Sequence, residues 1–104
     1  MARFDVYRNP ARQRARRTPF LLDVQSGFLE GLETRVVVPL RTPQVVEHPM
    51  TRLNPMLSIE GTQVVMDTSQ LAGYPRGALK RPVANLAAQA FEIQDALDFL
   101  FAGN

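Results

Sequence analysis

The last fifth of the chain carries its clearest hydrophobic pattern. Apolar residues recur there at steps of three and four, which places them on one side of an α-helix. They are Val83, Leu86, Ala90, Ile93, Leu97 and Leu100 or Phe101. Pro82 stands just before the pattern and Gly103 just after it, and these residue types favour the first position and the C-cap of a helix. The pattern therefore predicts a half-buried helix from Val83 almost to the last residue.

Five shorter stretches upstream have the alternation or the β-branched composition of strands. They are residues 3–8, 19–26, 35–40, 51–60 and 63–67. In the first, Phe4 and Val6 alternate with more polar residues, which predicts a strand with one buried face. Pro39 predicts that the third strand lies at an edge or ends there. Glu60 and Gly61 predict a hairpin between the last two strands.

The segments between these elements have the composition of turns and loops. Residues 68–73 predict one helical turn with a glycine stop, and residues 74–82 predict a loop rich in proline and glycine. Short antiparallel strands followed by one helix predict a mainly β (α+β) fold, a small bent sheet or partial barrel with the helix packed across it. A length of 104 residues predicts one domain, residues 1–104.

Positive charge is concentrated near the amino terminus. Residues 1–17 contain six arginines and one aspartate, a balance of +5, whereas the other 87 residues carry six basic and nine acidic groups, a balance of −3. The candidate binding residues there are Arg8, Arg12, Arg14, Arg16 and Arg17. Arginine pairs with carboxylate and with phosphate. Three interpretations stay open: a dock for an acidic protein segment, a nucleic-acid patch, or a solvated loop.

The residue types that usually carry catalysis or bind metals are few and scattered. Cysteine is absent and His48 is the only histidine. Glu92, Asp95 and Asp98 form a stripe that is typical of the solvated face of a helix rather than of acid–base chemistry. The sequence therefore predicts a binding protein that is not an enzyme and needs no cofactor or metal. The lack of a long apolar run or an apolar leader predicts a cytoplasmic protein without a membrane partner.

Two apolar groups stand where a partner could reach them. Phe28 and Leu29 lie between two glycines, and the pattern leaves open whether they are tucked under the sheet or displayed. Phe101 lies in the last turn of the predicted helix, where its surface would be exposed. Exposed apolar groups at such positions indicate a binding site.

Three segments together resemble the CcdB family of bacterial toxins. The first is Phe4, Val6 and Tyr7, followed by the basic loop, and the second is the DVQS motif at residues 23–26. The third lies in the predicted helix, where residues 83–86 and 96–101 stand in the family's register and Gly103 matches its penultimate glycine. The strand at residues 35–40, RVVVPL, also resembles the family's V/I-P-L strand.

The resemblance implies an SH3-like barrel of about five strands with a C-terminal helix, working as a homodimer. It implies the non-enzymatic toxin of a type II toxin–antitoxin module, which traps the A subunit of DNA gyrase on cleaved DNA. A CcdA-like antitoxin would bind the arginine-rich loop, neutralise the toxin, and repress the operon together with it, so that the toxin meets DNA only through the antitoxin. By position, the gyrase contacts fall on Phe28, Leu29, Asp98, Phe101, Ala102, Gly103 and Asn104.

The carboxyl-terminal residues depart from the family's pattern. The best-known members end in Trp-Gly-Ile, whereas this chain ends in Ala102, Gly103 and Asn104 and contains no tryptophan. Tryptophan is a typical interface anchor. A second interpretation is therefore a relative that binds its antitoxin but no longer poisons gyrase. A third is a ribonuclease, because ribonuclease toxins of the MazF type share this barrel, although a fold alone does not determine a function.

Overall fold

The computed structural model describes residues 1–103, which form seven strands and one α-helix. The strands are β1 (Asp5–Arg8), β2 (Phe20–Asp23), β3 (Thr34–Arg41), β4 (Met56–Ile59), β5 (Thr62–Met66), β6 (Ala72–Pro75) and β7 (Ala84–Asn85), and the helix is α1 (Ala90–Ala102). The antiparallel sheet has the order β4, β5, β3, β2, β1, β7, and β6 also pairs with β3. It forms a nearly closed barrel, which confirms the predicted mainly β fold class.

The main hydrophobic core lies between the inner face of the barrel and helix α1. The strands contribute Val6, Leu22 and Val38, and the helix contributes Ile93 and Ala96; all five are 0% exposed. The spacing of three along the helix keeps its two residues on the face that the sequence pattern predicts. Removal of this apolar surface from water is the main driving force for the fold.

The central strands are buried on both faces, not on one. A second apolar cluster on the outer side of the sheet contains Tyr7, Leu21, Val37 and Leu79. Tyr7 is 1% exposed and Asp5 is 9% exposed, so the prediction of one buried face for the first strand is wrong. The cause is tertiary: the chain after β6 returns across this side of the sheet and brings Leu79 onto it.

Pro39 lies inside β3, so the prediction of an edge or a strand end at this residue is wrong. β3 pairs with β6 through residues 34–37 and with β5 through residues 40–41. Pro39 falls between these two partners, where β3 needs no N–H donor, and its carbonyl accepts a hydrogen bond from the Asp67 N–H at 3.0 Å. The missing donor of proline therefore costs the sheet no hydrogen bond.

Helix α1 begins at Ala90, seven residues after the predicted start. The Val83 N–H donates to the Val6 carbonyl at 2.8 Å, and the Leu86 N–H donates to the Phe4 carbonyl at 2.9 Å. Residues 83–86 thus continue the sheet beside β1, and their backbone groups are satisfied there. Their apolar side chains still face the core, and for this reason the helical spacing extended into a segment that is not helical.

The predicted end of the helix and the predicted hairpin are confirmed. Gly103 has a φ of 71° and its N–H donates to the Phe99 carbonyl at 3.0 Å, which is the arrangement of a glycine C-cap. Glu60 and Gly61 have φ values of 51° and 84° and join β4 to β5. Two positive φ values match the twist of such a two-residue turn.

The segment after β5 differs in part from its prediction. A short 3₁₀ helix at Thr68–Gln70 agrees with the predicted helical turn. The turn ends early, however, because Ala72–Pro75 pairs with β3 as strand β6. Long-range pairing of this kind has no local signal when the strand contains glycine and proline.

Candidate functional site

Phe28 and Leu29 are displayed on the surface. After β2 the chain forms a 3₁₀ helix at Gly27–Leu29, and the Ser26 hydroxyl oxygen caps it by accepting a hydrogen bond from the Phe28 N–H at 3.2 Å. Phe28 is 100% exposed and Leu29 is 47% exposed. We name residues 26–33 the apolar tip. A phenylalanine held entirely in water is unfavourable unless a partner covers it, so the tip is a candidate docking surface.

A buried ion pair lies at the base of the apolar tip. The Arg35 guanidinium donates to both carboxylate oxygens of Asp23, at 2.7 and 2.9 Å, and both side chains are 0% exposed. Arg35 also donates to the Gln25 carbonyl at 3.1 Å. Asp23 and Gln25 belong to the DVQS motif, so these two motif residues help to hold together the strands from which the tip projects.

A chain of hydrogen bonds connects the base of the tip to helix α1. The Arg3 side chain donates to the Val24 carbonyl at 3.0 Å and to the Gln94 side-chain oxygen at 2.6 Å. The Gln94 amide in turn donates to the Asp98 carboxylate at 3.0 Å. The two segments that the resemblance assigns to gyrase are therefore joined through Arg3 and Gln94, two residues that the sequence pattern did not single out.

The last turn of α1 presents an apolar surface to solvent. Phe101 is 72% exposed, and Asp98, Ala102 and Gly103 are exposed as well. Asn104, the last residue predicted for the site, lies outside the described residues. Phe91 is also exposed, at 81%, but it lies in the first turn of the helix. The helix end and the apolar tip are thus two displayed apolar surfaces, as a site for a protein partner requires.

The arginine-rich segment is a folded loop with exposed side chains. We name residues 8–18 the arginine loop. Asn9 closes it, because its side chain donates to the Thr18 carbonyl at 2.8 Å and accepts from the Ala11 N–H at 3.0 Å. The Thr18 N–H donates to the Arg14 carbonyl at 2.8 Å. With its backbone fastened in this way, the loop holds its arginines at defined positions.

Two grooves flank the arginine loop and divide the predicted arginines between them. The larger, of 710 Å³, has Leu21, Val37 and Pro39 on its floor and Arg14, Arg16, Arg17 and Arg41 among its lining residues. The smaller, of 560 Å³, includes Arg8, Arg12, Lys80 and Arg81. An apolar floor beneath a cationic rim suits a peptide that carries both apolar and acidic side chains. The rim residues Arg41, Lys80 and Arg81 come from elsewhere in the chain, so the sequence did not predict them.

The basic residues differ in whether the protein itself engages them. Arg35 and Arg52 bond to carboxylates, Arg3 bonds to Gln94, and Arg76 bonds to the Glu30 carbonyl. The loop's arginine side chains form no hydrogen bond or ion pair within residues 1–103, and only Arg8 has an internal contact, with its guanidinium 5.9 Å from the centre of the Phe20 ring. The others are Arg12, Arg14, Arg16 and Arg17. Their donors face solvent and are available to a carboxylate-bearing partner.

Tyr7 shows the strongest electrostatic perturbation in the outer apolar cluster. Burial raises its pKa to about 12, and the nearby carboxylates of Asp5 and Asp23 act in the same direction. Its hydroxyl lies 3.5 Å from the Asp5 carboxylate. The charged form of the phenol would be desolvated beside negative groups, so the folded protein holds its proton more tightly.

The residues considered for catalysis are not brought together. His48, Glu92 and Asp98 are exposed, and Asp95 forms an ion pair with Arg52. Among residues 1–103, no group of three His, Cys, Asp or Glu side chains is arranged to hold a metal ion. In the same part of the chain, no helix is long and apolar enough to cross a membrane.

Comparison with protein families gives one match that spans nearly all of the described residues. The model of the family described as CcdB protein matches residues 3–103. The matched range includes the arginine loop, the apolar tip and the end of helix α1.

Proposed function

The chain belongs to the CcdB family of toxins from toxin–antitoxin systems, and we propose that it is a homodimeric inhibitor of DNA gyrase. In this proposal the apolar tip and the end of helix α1 bind the A subunit of gyrase and trap its complex with cleaved DNA. The site comprises Phe28, Leu29, Asp98, Phe101, Ala102, Gly103 and Asn104. The toxin acts by binding, in the cytoplasm where gyrase works, and performs no catalysis itself.

The observation that carries the proposal is the complete exposure of Phe28 on a fastened tip. Burying a phenylalanine side chain contributes about 1.5–3 kcal/mol, and aromatic residues are frequent anchors of interfaces. Phe101, at 72% exposed, adds a second aromatic group at the end of α1. Two exposed aromatic side chains, one at each of these surfaces, support binding to a protein partner.

We assign the antitoxin to the arginine loop and its larger groove. The free guanidinium groups of Arg14, Arg16 and Arg17 in this groove attract an acidic and flexible antitoxin segment, and the apolar floor accepts its apolar side chains. Arg8 and Arg12 in the smaller groove add to this attraction. Antitoxin bound in this way neutralises the toxin. The same complex represses the operon, with the antitoxin as the part that contacts DNA.

A second candidate function rests on Ala102. It occupies the place of the family's tryptophan and is exposed, and loss of an anchor of that kind costs roughly 2–4 kcal/mol of binding free energy. A protein without this anchor could retain antitoxin binding while it no longer poisons gyrase. This candidate differs from the first only in its gyrase affinity, so one set of measurements separates them.

The test is induced expression in bacteria that carry wild-type gyrase. The proposal expects growth arrest and an accumulation of cleaved gyrase–DNA complexes, both reversed by co-expression of the protein encoded beside the toxin gene. Normal growth together with tight binding of that neighbouring protein would favour the non-toxic candidate. Arrest with degraded RNA and no cleavage complexes would indicate the ribonuclease interpretation instead.

A further inference from the structure

Gln25 lies at the point where β2 passes into the apolar tip, and its side chain is bonded to three backbone groups. Its amide oxygen accepts a hydrogen bond from the Val36 N–H at 2.8 Å. Its amide nitrogen donates to the Leu29 carbonyl at 3.3 Å and to the Thr34 carbonyl at 3.2 Å. The residue is 8% exposed. One buried side chain therefore ties Leu29, in the middle of the tip, to the first residues of β3.

The tip has few other restraints. Every residue from 26 to 33 is exposed, so no buried side chain of its own anchors it. Within the tip, the Leu29 N–H donates to the Ser26 carbonyl and the Leu32 N–H to the Leu29 carbonyl, each at 3.1 Å. From outside, Arg76 bonds to the carbonyls of Glu30 and Glu33. Two glycines in the segment make alternative backbone conformations accessible, and the bonds from Gln25 and Arg76 restrict the tip to one of them.

The backbone of Gln25 is itself held by the buried ion pair. Its N–H donates to the Asp23 carboxylate at 3.0 Å, and its carbonyl accepts from Arg35 at 3.1 Å. The buried Asp23–Arg35 pair thus sets the backbone of Gln25, and the Gln25 side chain sets the tip. A continuous set of hydrogen bonds therefore connects the core to the segment that carries the exposed Phe28.

We propose that Gln25 is a positioning residue that preorganises the apolar tip for its apolar partner surface on gyrase. The inference rests on the proposed function and adds the residue that controls it. A tip that is already ordered loses less conformational entropy when it binds. Without the Gln25 donors, Phe28 stays exposed but samples several orientations. The affinity for gyrase is then reduced in proportion to the fraction of molecules in the orientation that binds.

The decisive variant is Gln25→Glu. It keeps an oxygen for the Val36 N–H and the same shape, but it replaces the donor with a carboxylate oxygen that faces two carbonyls. The matched control is Gln63→Glu, the same charge change at an exposed site on β5. Gln25→Met removes all three bonds without adding charge and serves where the charged variant does not fold.

Three measurements are made on the full chain. Affinity for purified gyrase A subunit is expected to fall at least tenfold in Gln25→Glu and to stay within twofold in Gln63→Glu. Affinity for a synthetic peptide covering the acidic half of the antitoxin is expected to stay within twofold in both. Amide hydrogen exchange at Leu29 and Leu32 is expected to become at least tenfold faster, while that at Leu22 in the core is unchanged.

The outcomes separate this inference from the proposed function. Unchanged exchange at Leu29 and Leu32 overturns the positioning role, whatever gyrase does. Parallel loss of gyrase affinity, antitoxin affinity and core protection also overturns it, because general destabilisation then explains the result. If neither the wild-type chain nor any variant binds gyrase, the proposed function fails, and the exchange data alone decide whether Gln25 orders the tip.

Discussion

Arg52 and Asp95 form a two-bond ion pair between the loop that precedes β4 and helix α1. Both nitrogen–oxygen distances are 2.9 Å, and the Arg52 guanidinium also lies 4.9 Å from the centre of the Phe99 ring. The side chains are 39% and 34% exposed, so solvent and salt screen the pair. The pair anchors the half of the helix that leads to Phe101. It also gives Asp95, one carboxylate of the acidic stripe, a structural role in place of a catalytic one.

This pair makes a small contribution to stability. Asp95→Asn is expected to lower the free energy of unfolding by about 0.5–1 kcal/mol in dilute buffer, and by less in 1 M salt. Asp98→Asn is the control, because Asp98 accepts only a hydrogen bond from the neutral Gln94 among the described residues. Urea unfolding at both salt concentrations measures the two losses. Equal losses in both variants, or a loss that salt leaves unchanged, would contradict the assignment.

Phe28 is expected to affect binding and not folding. Phe28→Ser should change the free energy of unfolding by less than about 0.5 kcal/mol, because the side chain is fully exposed. It should weaken binding to the gyrase A subunit by about 10- to 100-fold, the equivalent of roughly 1.5–3 kcal/mol. Phe91→Ser is the control, since Phe91 is also exposed but lies outside the proposed site. Titration calorimetry and thermal unfolding separate the two effects; a matching loss of affinity in the control would count against the site.

The larger groove should dominate antitoxin binding. Arg16→Gln with Arg17→Gln is expected to weaken binding of the acidic antitoxin peptide by about tenfold at low salt, because two charge-assisted contacts are lost. The double variant should also reduce the dependence of affinity on salt. Lys80→Gln with Arg81→Gln removes the same charge beside the smaller groove and should cost less. Equal effects would mean that net charge, and not the groove, recruits the peptide.

Tyr7 should make stability decrease at high pH. Its folded pKa of about 12 exceeds the ordinary value of 10.0, so the unfolded chain loses the phenolic proton first. The stabilisation is complete below about pH 10 and is lost as pH rises towards 12, with about 1–3 kcal/mol at stake. Tyr7→Phe keeps the ring and removes the ionisable group. Its stability between pH 9 and 11, measured by urea unfolding, should decline less than that of the wild type; parallel curves would refute the assignment.

The sequence pattern located most strands and the helix, but it did not show which segments pack against them. Alternation around Val6 marked a strand, and the two positive-φ residues of the hairpin were recognisable from their types. The same alternation misjudged β1, because Asp5 and Tyr7 look like solvent-facing residues and are buried by a segment about seventy positions away. Pro39 was misjudged for a related reason: only the arrangement of β5 and β6 shows where β3 needs no N–H donor.

The candidate site divides in the same way. The exposure of Phe101, the arginine loop and the family resemblance were accessible from residue types and their order, whereas the pattern left open whether Phe28 is buried or displayed. Gln25 was seen only as part of a motif, because a side chain that bonds to backbone groups four to eleven residues away leaves no periodic trace. Its role follows from the convergence of β2, β3 and the tip.

The sequence by itself determined the alternation that makes the strands, the helical spacing from Ala90 onwards, the glycine C-cap and the concentration of arginine before β2. These depend on neighbours within a few positions along the chain. The tertiary structure decided which faces are buried, where the helix begins, which arginines line a common groove and which polar groups fasten the tip. Such features depend on contacts between distant segments, and their free energy comes from burial and hydrogen bonding that no local pattern records.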